Sequence, residues 1–162
     1  MPILKRDDAE IYFEEFGNGY PLLLFAPGGM RSRIEMWHEP KDGPPRSWND
    51  WTDELASRYR VVAMDQRNAG RSRGAILANH GWQTYAADHL ALMEHLGFKR
   101  FHTLGGCIGS SFCLKLCEIV PERVTALTIP PDWRPNSALK LFVCTENSCS
   151  ASGFGIGFGA FE

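Results

Sequence analysis

Apolar and polar positions alternate in short blocks along the first 130 residues of the chain. Short apolar runs that stop at turn-forming residues are typical of buried strands, and longer blocks with apolar residues at helical spacing are typical of helices. The pattern predicts strands at 11–16, 22–25, 60–64, 101–104 and 124–129 and helices at 48–57, 85–96 and 110–120. This alternation predicts an α/β fold with a mostly parallel sheet and helices on both faces.

The pattern changes after Pro131. One apolar run, 139–144, predicts a further short strand, and a Ser-rich and then Gly/Phe-rich stretch follows at 147–159. This stretch has neither helical nor strand periodicity and cannot bury a continuous apolar face, so we expect it to be mobile. We therefore predict a core at 1–130 and a divergent, low-complexity tail at 131–162.

Composition and charge narrow the class of protein. The 162 residues are 44% hydrophobic and 22% charged, as in globular chains and unlike disordered ones. A formal net charge of −2 argues against the basic surface of a nucleic-acid binder. Neither a secretory signal nor a membrane-spanning run is visible. We expect a cytoplasmic protein with a small-molecule partner and no nucleic-acid or membrane partner, and its oligomeric state stays open.

The cysteines give no sign of a metal or a disulfide framework. Five are present, at positions 107, 113, 117, 144 and 149. Their number is odd, their spacing is irregular and no Cys-x-x-Cys pair occurs, which favours reduced thiols and predicts no metal site. A phosphate-binding loop is absent and the dinucleotide pattern is weak, so no cofactor is predicted.

The segment Gly105–Gly109, Gly-Gly-Cys-Ile-Gly, carries the candidate chemistry. It fits the pattern Gly-x-nucleophile-x-Gly and lies between a predicted strand and a predicted helix, where a nucleophile elbow occurs. Small flanking residues permit a sharp turn, and the helix N-terminus favours a thiolate at Cys107. The amide of Ile108 would then face a developing oxyanion. A Gly-rich turn with an inert, buried cysteine explains the five residues equally well.

Three further segments appear in the order that one family uses. They are 22–29 (Leu-Leu-Leu-Phe-Ala-Pro-Gly-Gly), 61–72 (ending Asp-Gln-Arg-Asn-Ala-Gly-Arg-Ser) and 121–124 (Pro-Glu-Arg-Val). With the elbow, they resemble the N-terminal half of an α/β-hydrolase over about residues 10–130. The resemblance implies hydrolysis of an ester, thioester or lactone, with Gly29, or Met30 in a shifted register, as the second oxyanion donor. Cysteine at the elbow resembles the dienelactone hydrolases in that one position.

The base that this family needs is missing from its usual place. The family order is nucleophile, acid, histidine, but all five histidines precede Cys107, and Asp132 is only a weak candidate for the acid. Loop residues His38 and His80 are possible replacement bases. The sheet also stops early, and the change after Pro131 suggests a truncated or frameshifted gene product. Translation of the downstream nucleotide sequence in other frames would test this expectation.

Several functions therefore stay open from sequence. The leading one is a hydrolase with Cys107 as nucleophile, present as an incomplete chain with impaired activity, and an acyltransferase of the same fold fits equally. The alternative from another class is a non-catalytic, hydrolase-like module that binds a ligand or a partner. A thiol-redox role for Cys107 is weaker because no Cys-x-x-Cys partner accompanies it.

Overall fold

A computed structural model of the chain describes residues 2–37, 55–129, 140–145 and 148–151. Within these ranges lie nine strands, two α-helices and two short 3₁₀ helices. In chain order the strands are β1 (Ile3–Lys5), β2 (Ala9–Phe16), β3 (Tyr20–Phe25), β4 (Tyr59–Met64), β5 (Arg73–Gly74), β6 (Phe101–Gly105), β7 (Val124–Ile129), β8 (Lys140–Thr145) and β9 (Ser148–Ala151). The α-helices are α1 (Trp82–His95) and α2 (Gly109–Ile119), and the 3₁₀ helices are Gly29–Arg31 and Ile34–Trp37.

The strands form one mixed sheet in the order β1-β2-β4-β3-β6-β7-β8-β9, with β5 paired to β2. The four central strands, β4, β3, β6 and β7, are parallel, and every described pairing outside them is antiparallel. The α/β-hydrolase-like class predicted from sequence is confirmed. The antiparallel flanks were not predicted, because pairing direction depends on contacts between distant segments that periodicity does not record.

Strand β3 shows why the centre of the sheet is buried on both faces. Leu23 and Phe25 pack into one apolar cluster and Leu22 and Leu24 into the other, as the two-residue period of a strand requires. Helices α1 and α2 cover the first face, and Ile34, Trp37 and other residues cover the second. The parallel strands thereby direct their carboxyl ends, and the loops that follow, to one edge of the sheet.

Most predicted elements match the structure within a few residues. Of the predicted helix at 48–57, residues 48–54 lie outside the described ranges, and residues 55 and 56 are helical. Strand β8 corresponds to the predicted strand at 139–144. Strand β9 lies in the stretch for which no strand was predicted, because its pairing with β8 and not its own sequence pattern defines it. Neither of the two described α-helices is long and apolar enough to cross a membrane.

Candidate active site

The turn between β6 and α2 has the backbone geometry of a nucleophile elbow. Cys107 is exposed and has φ 54°, a left-handed conformation that is uncommon for a residue with a side chain. The Gly106 amide donates to the Phe25 carbonyl (3.0 Å), which joins the turn to the end of β3. On its other side, the Ser110 amide donates to the Cys107 carbonyl (3.1 Å) as the helix begins. The backbone therefore presents the thiol outward at the start of α2.

Both flanking glycines are required by close approaches of the backbone. A Cβ atom at Gly105 would overlap the Gly109 carbonyl group, and one at Gly109 would lie 2.6 Å from the Phe25 carbonyl oxygen. Cβ atoms essentially never approach other heavy atoms that closely. The Gly-x-Cys-x-Gly spacing is thus a steric requirement of this turn.

Gly105→Ala is expected to destabilise the chain at the upper end of the about 1–3 kcal/mol typical of overpacking, because the clashing atoms belong to the backbone and cannot rotate away. Urea unfolding followed by circular dichroism measures the change. Gly81→Ala is the matched control, since its new methyl group would meet Gln83 Oε1 at 3.9 Å. Equal stability of the two variants would contradict the assigned turn geometry.

The Gly28–Arg31 turn lies directly beside the elbow. Gly29 has φ 60°, and a Cβ there would lie 2.7 Å from Cγ2 of Ile108. The two predicted oxyanion donors, Gly29 and Ile108, are therefore neighbours in space although 79 positions separate them in sequence. Among the described backbone hydrogen bonds, none uses the amide of Gly29 or of Ile108 as donor. Met30, the alternative donor, is 62% exposed.

Asp65 holds that turn in place. Its buried carboxylate accepts from the Ile34 amide (2.8 Å) and from the Arg71 amide and Nε (2.8 and 2.9 Å). The next residue, Gln66, adds a second connection, because its amide donates to the Ser32 carbonyl (2.9 Å). The loop after β4 therefore fixes the segment that carries Gly29.

Asn68 lies in the same loop and adopts a conformation that is uncommon for residues with a side chain. It has φ 61°, and its Oδ1 accepts a hydrogen bond from the Gly74 amide (2.8 Å). Asparagine tolerates the left-handed region, and here its side chain also stabilises the loop.

The other two described cysteines face the interior. Cys113 is fully buried and Cys117 packs against the same core. Burial raises the pKa of Cys113 far above its ordinary value and that of Cys117 to about 11. Both thiols are therefore protonated near neutral pH, and of the three cysteines described with their surroundings only Cys107 is exposed.

His89 is buried against the last residue of β3 and the first half of α2. Its ring packs against Phe25 (centroids 4.6 Å apart) and Phe112 (5.0 Å), and its Nε2 hydrogen-bonds Gln66 Oε1 (2.8 Å). Nδ1 of His89 and Nε2 of Gln66 are buried without a hydrogen-bond partner among the described atoms. Desolvation lowers the pKa of His89 from 6.5 to about 3. Near neutral pH this imidazole is therefore an uncharged packing group.

His89 should make the folded chain sensitive to acid. Below pH 6.5 the unfolded chain binds a proton at this residue and the folded chain does not, so stability falls by about 1.4 kcal/mol per pH unit towards pH 3. Urea unfolding between pH 7.5 and 5 measures the slope. His89→Gln should reduce the slope by close to one proton. An unaltered slope in His89→Gln would show that the ring is protonated in the folded state.

The remaining described histidines have partners other than the thiol. His80 Nε2 is 3.9 Å from Asp8 Oδ2. His102 lies near the start of β6, at the opposite end of the strand from Cys107, and its Nδ1 hydrogen-bonds Thr125 (2.8 Å). His95 contacts Phe13. His38 and Asp132 lie outside the described residues, so the structure brings no described histidine to Cys107.

A buried ion-pair network lies near the same edge of the sheet. Arg67 donates from Nε and NH2 to both carboxylate oxygens of Asp88 (2.8 and 2.9 Å) and from NH1 to Asp8 (2.7 Å). The side chains of Arg67 and Asp88 are 2% and 0% exposed. Hydrogen bonds to Asp88 and then Asp8 raise the pKa of Arg67 above its ordinary value. The sequence located Arg67 in a loop motif but gave no sign of its partners.

No group of three or more His, Cys, Asp or Glu side chains in the described part of the chain could hold a metal ion. What the structure does bring together at the start of α2 is the exposed thiol of Cys107 and the neighbouring residues Gly29 and Ile108.

The model of the alpha/beta hydrolase fold family matches residues 21–129, and the chain belongs to this family. It is 30% identical over 133 residues to the protein named "Putative carbamate hydrolase RutD" of Azorhizobium caulinodans, covering 82% of this chain and 45% of that protein. It is 30% identical over 129 residues to the proline iminopeptidase of Xylella fastidiosa, covering 76% and 36%. The chain thus spans less than half the length of both relatives.

Solved structures agree on the fold. The enol-lactonase from Burkholderia xenovorans LB400 superposes with a TM-score of 0.64 at 19% identity, covering 78% of this chain and 45% of the enzyme. At that identity the likeness concerns the fold alone. The matched relatives carry different activities in their names, so family membership leaves both the reaction and the substrate open.

Proposed function

We propose that the chain transfers acyl groups through a thioester at Cys107, as a hydrolase of esters, thioesters or lactones. The proposal rests on one observation. Cys107 is exposed, has a left-handed backbone conformation and lies between two glycines that close backbone contacts require, in the position where this family carries its nucleophile. An inert structural cysteine would have no need of exposure or of a left-handed backbone. A reducing cytoplasm would keep this thiol available.

The chemistry needs few groups. The Cys107 thiolate attacks the acyl carbon, the amides of Gly29 and Ile108 donate to the oxyanion, and the alkoxide, phenolate or thiolate leaving group departs and takes a proton from water. Water then attacks the acyl thioester, which releases the carboxylic acid and regenerates the thiol. A thiol reaches the first step without a general base because a few per cent of it is ionised at neutral pH.

The second step is expected to be slow. Attack by water on a thioester is accelerated by a general base, and no described histidine forms a hydrogen bond with the Cys107 thiol. We therefore propose impaired turnover, with acylation faster than deacylation. The expected kinetic form is a burst of about one leaving group per chain followed by a slow steady rate.

Incubation of the chain with p-nitrophenyl acetate tests for these burst kinetics. We expect a nitrophenolate burst that approaches one equivalent and disappears after treatment with iodoacetamide. Alkylation of Cys107 without any burst would indicate a reactive thiol that does not transfer acyl groups, and would contradict the proposal. Failure of both reactions in a chain that melts cooperatively would favour the non-catalytic binding module.

A further inference from the structure

The hairpin β8–β9 places two cysteines directly opposite each other. Its register pairs Phe142 with Ala151, Val143 with Ser150, Cys144 with Cys149 and Thr145 with Ser148. Only four residues separate the two cysteines in sequence, and no spacing motif marked them as a pair. Their relation follows from the antiparallel register alone.

Directly opposite residues share one face of a sheet, and their spacing suits a disulfide. In antiparallel pairs the Cα atoms lie about 5.5 Å apart at hydrogen-bonded positions and about 4.5 Å apart at the others. Disulfides join Cα atoms about 4.4–6.8 Å apart. At either kind of position, the Cα atoms of Cys144 and Cys149 are therefore separated by a distance that a disulfide can span, without a change of strand register.

We propose that Cys144 and Cys149 form a redox-active dithiol that closes to a disulfide across the hairpin. A thiolate of the pair attacks glutathione disulfide and releases one glutathione thiol. The other cysteine then attacks the mixed disulfide, which forms the Cys144–Cys149 bond and releases the second glutathione thiol. Two electrons and two protons pass from the cysteine pair to one glutathione disulfide.

The bond would act at the edge of the sheet. Strand β8 pairs with β7 through Leu127–Phe142, Thr128–Leu141 and Ile129–Lys140, so the hairpin extends the sheet beyond its last parallel strand. Oxidation would tie β9 covalently to β8, and reduction would leave the two strands joined by their backbone pairing alone. This dithiol is separate from Cys107, and its test gives a result whether or not Cys107 transfers acyl groups.

The sequence offers a direct assay. Lys140 is the last basic residue of the chain, and Glu146 lies between the two cysteines. Digestion of the full chain with trypsin and a glutamate-specific protease therefore yields fragments 141–146 and 147–162. After treatment with glutathione disulfide and alkylation of the remaining thiols, we expect these fragments to migrate as one linked species and to separate on reduction.

Single variants provide the controls. Cys144→Ser and Cys149→Ser should each abolish the link, whereas Cys117→Ser should retain it. Phenylarsine oxide gives a second measurement, because a dithiol binds its arsenic through two As–S bonds with release of water. We expect one equivalent to bind at these cysteines, and either serine variant to lose it. Unlinked fragments, glutathione retained on either cysteine, or a link to Cys107 would each overturn the proposal.

Discussion

Cys107→Ala is expected to abolish the nitrophenolate burst and to reduce steady release from p-nitrophenyl acetate to the solvent background. The two amides would still be present, but no nucleophile would remain to form the acyl thioester. Cys117→Ala is the matched control, because its half-buried thiol has a raised pKa of about 11 and should leave the burst intact. Stopped-flow absorbance of each folded variant measures the amplitude.

Cys107→Ser sharpens the same prediction. A serine hydroxyl is a weak nucleophile at neutral pH unless a neighbouring base removes its proton, whereas a thiol is partly ionised. Since no described histidine forms a hydrogen bond at this position, the serine variant should lose the burst as completely as the alanine variant. A serine variant that retains turnover would reveal a general base at the site and contradict the proposed slow deacylation.

Arg67→Met is expected to cost about 3 kcal/mol of folding free energy, the lower end of the range for breaking a buried ion pair, because buried Asp88 loses one of its two ionic partners. Asp88 would keep only Arg6, at 2.5 Å, as its ionic partner. Guanidinium unfolding measures the loss. Arg67→Met combined with Asp88→Leu should recover part of it, because no buried charge then remains unpaired.

An exposed ion pair supplies the comparison for Arg67. Arg60 contacts Glu15 at 2.7 Å, but both side chains are partly exposed, so Arg60→Gln should cost no more than about 1 kcal/mol. Comparable losses in the Arg60 and Arg67 variants would show that burial of the Arg67 network does not determine its contribution.

The elbow and the central strands were predictable because their signals are local. Four consecutive apolar residues predicted strand β3. The two glycines that flank Cys107, both required by close backbone contacts, predicted the turn. The proximity of Gly29 to Ile108 could be predicted only through the family resemblance, since it depends on parallel pairing of β3 with β6.

What the sequence did not reveal depends on pairing between distant or unmarked positions. The His89–Gln66 contact joins residues 23 positions apart in segments with no shared pattern. In the same way, Cys144 and Cys149 look unrelated until the register of β8 and β9 sets them opposite. Hydrophobic periodicity reports which face of an element is buried but not which element covers it.

The most direct test of the proposed acyl transfer is intact-mass and peptide analysis of the chain quenched during the burst with p-nitrophenyl acetate. We expect one acetyl group per chain, located on Cys107, labile to hydroxylamine at neutral pH as a thioester is, and absent from Cys107→Ala. Acetylation confined to lysine or serine side chains, or equal labelling of Cys107→Ala, would contradict the assignment of Cys107 as the nucleophile.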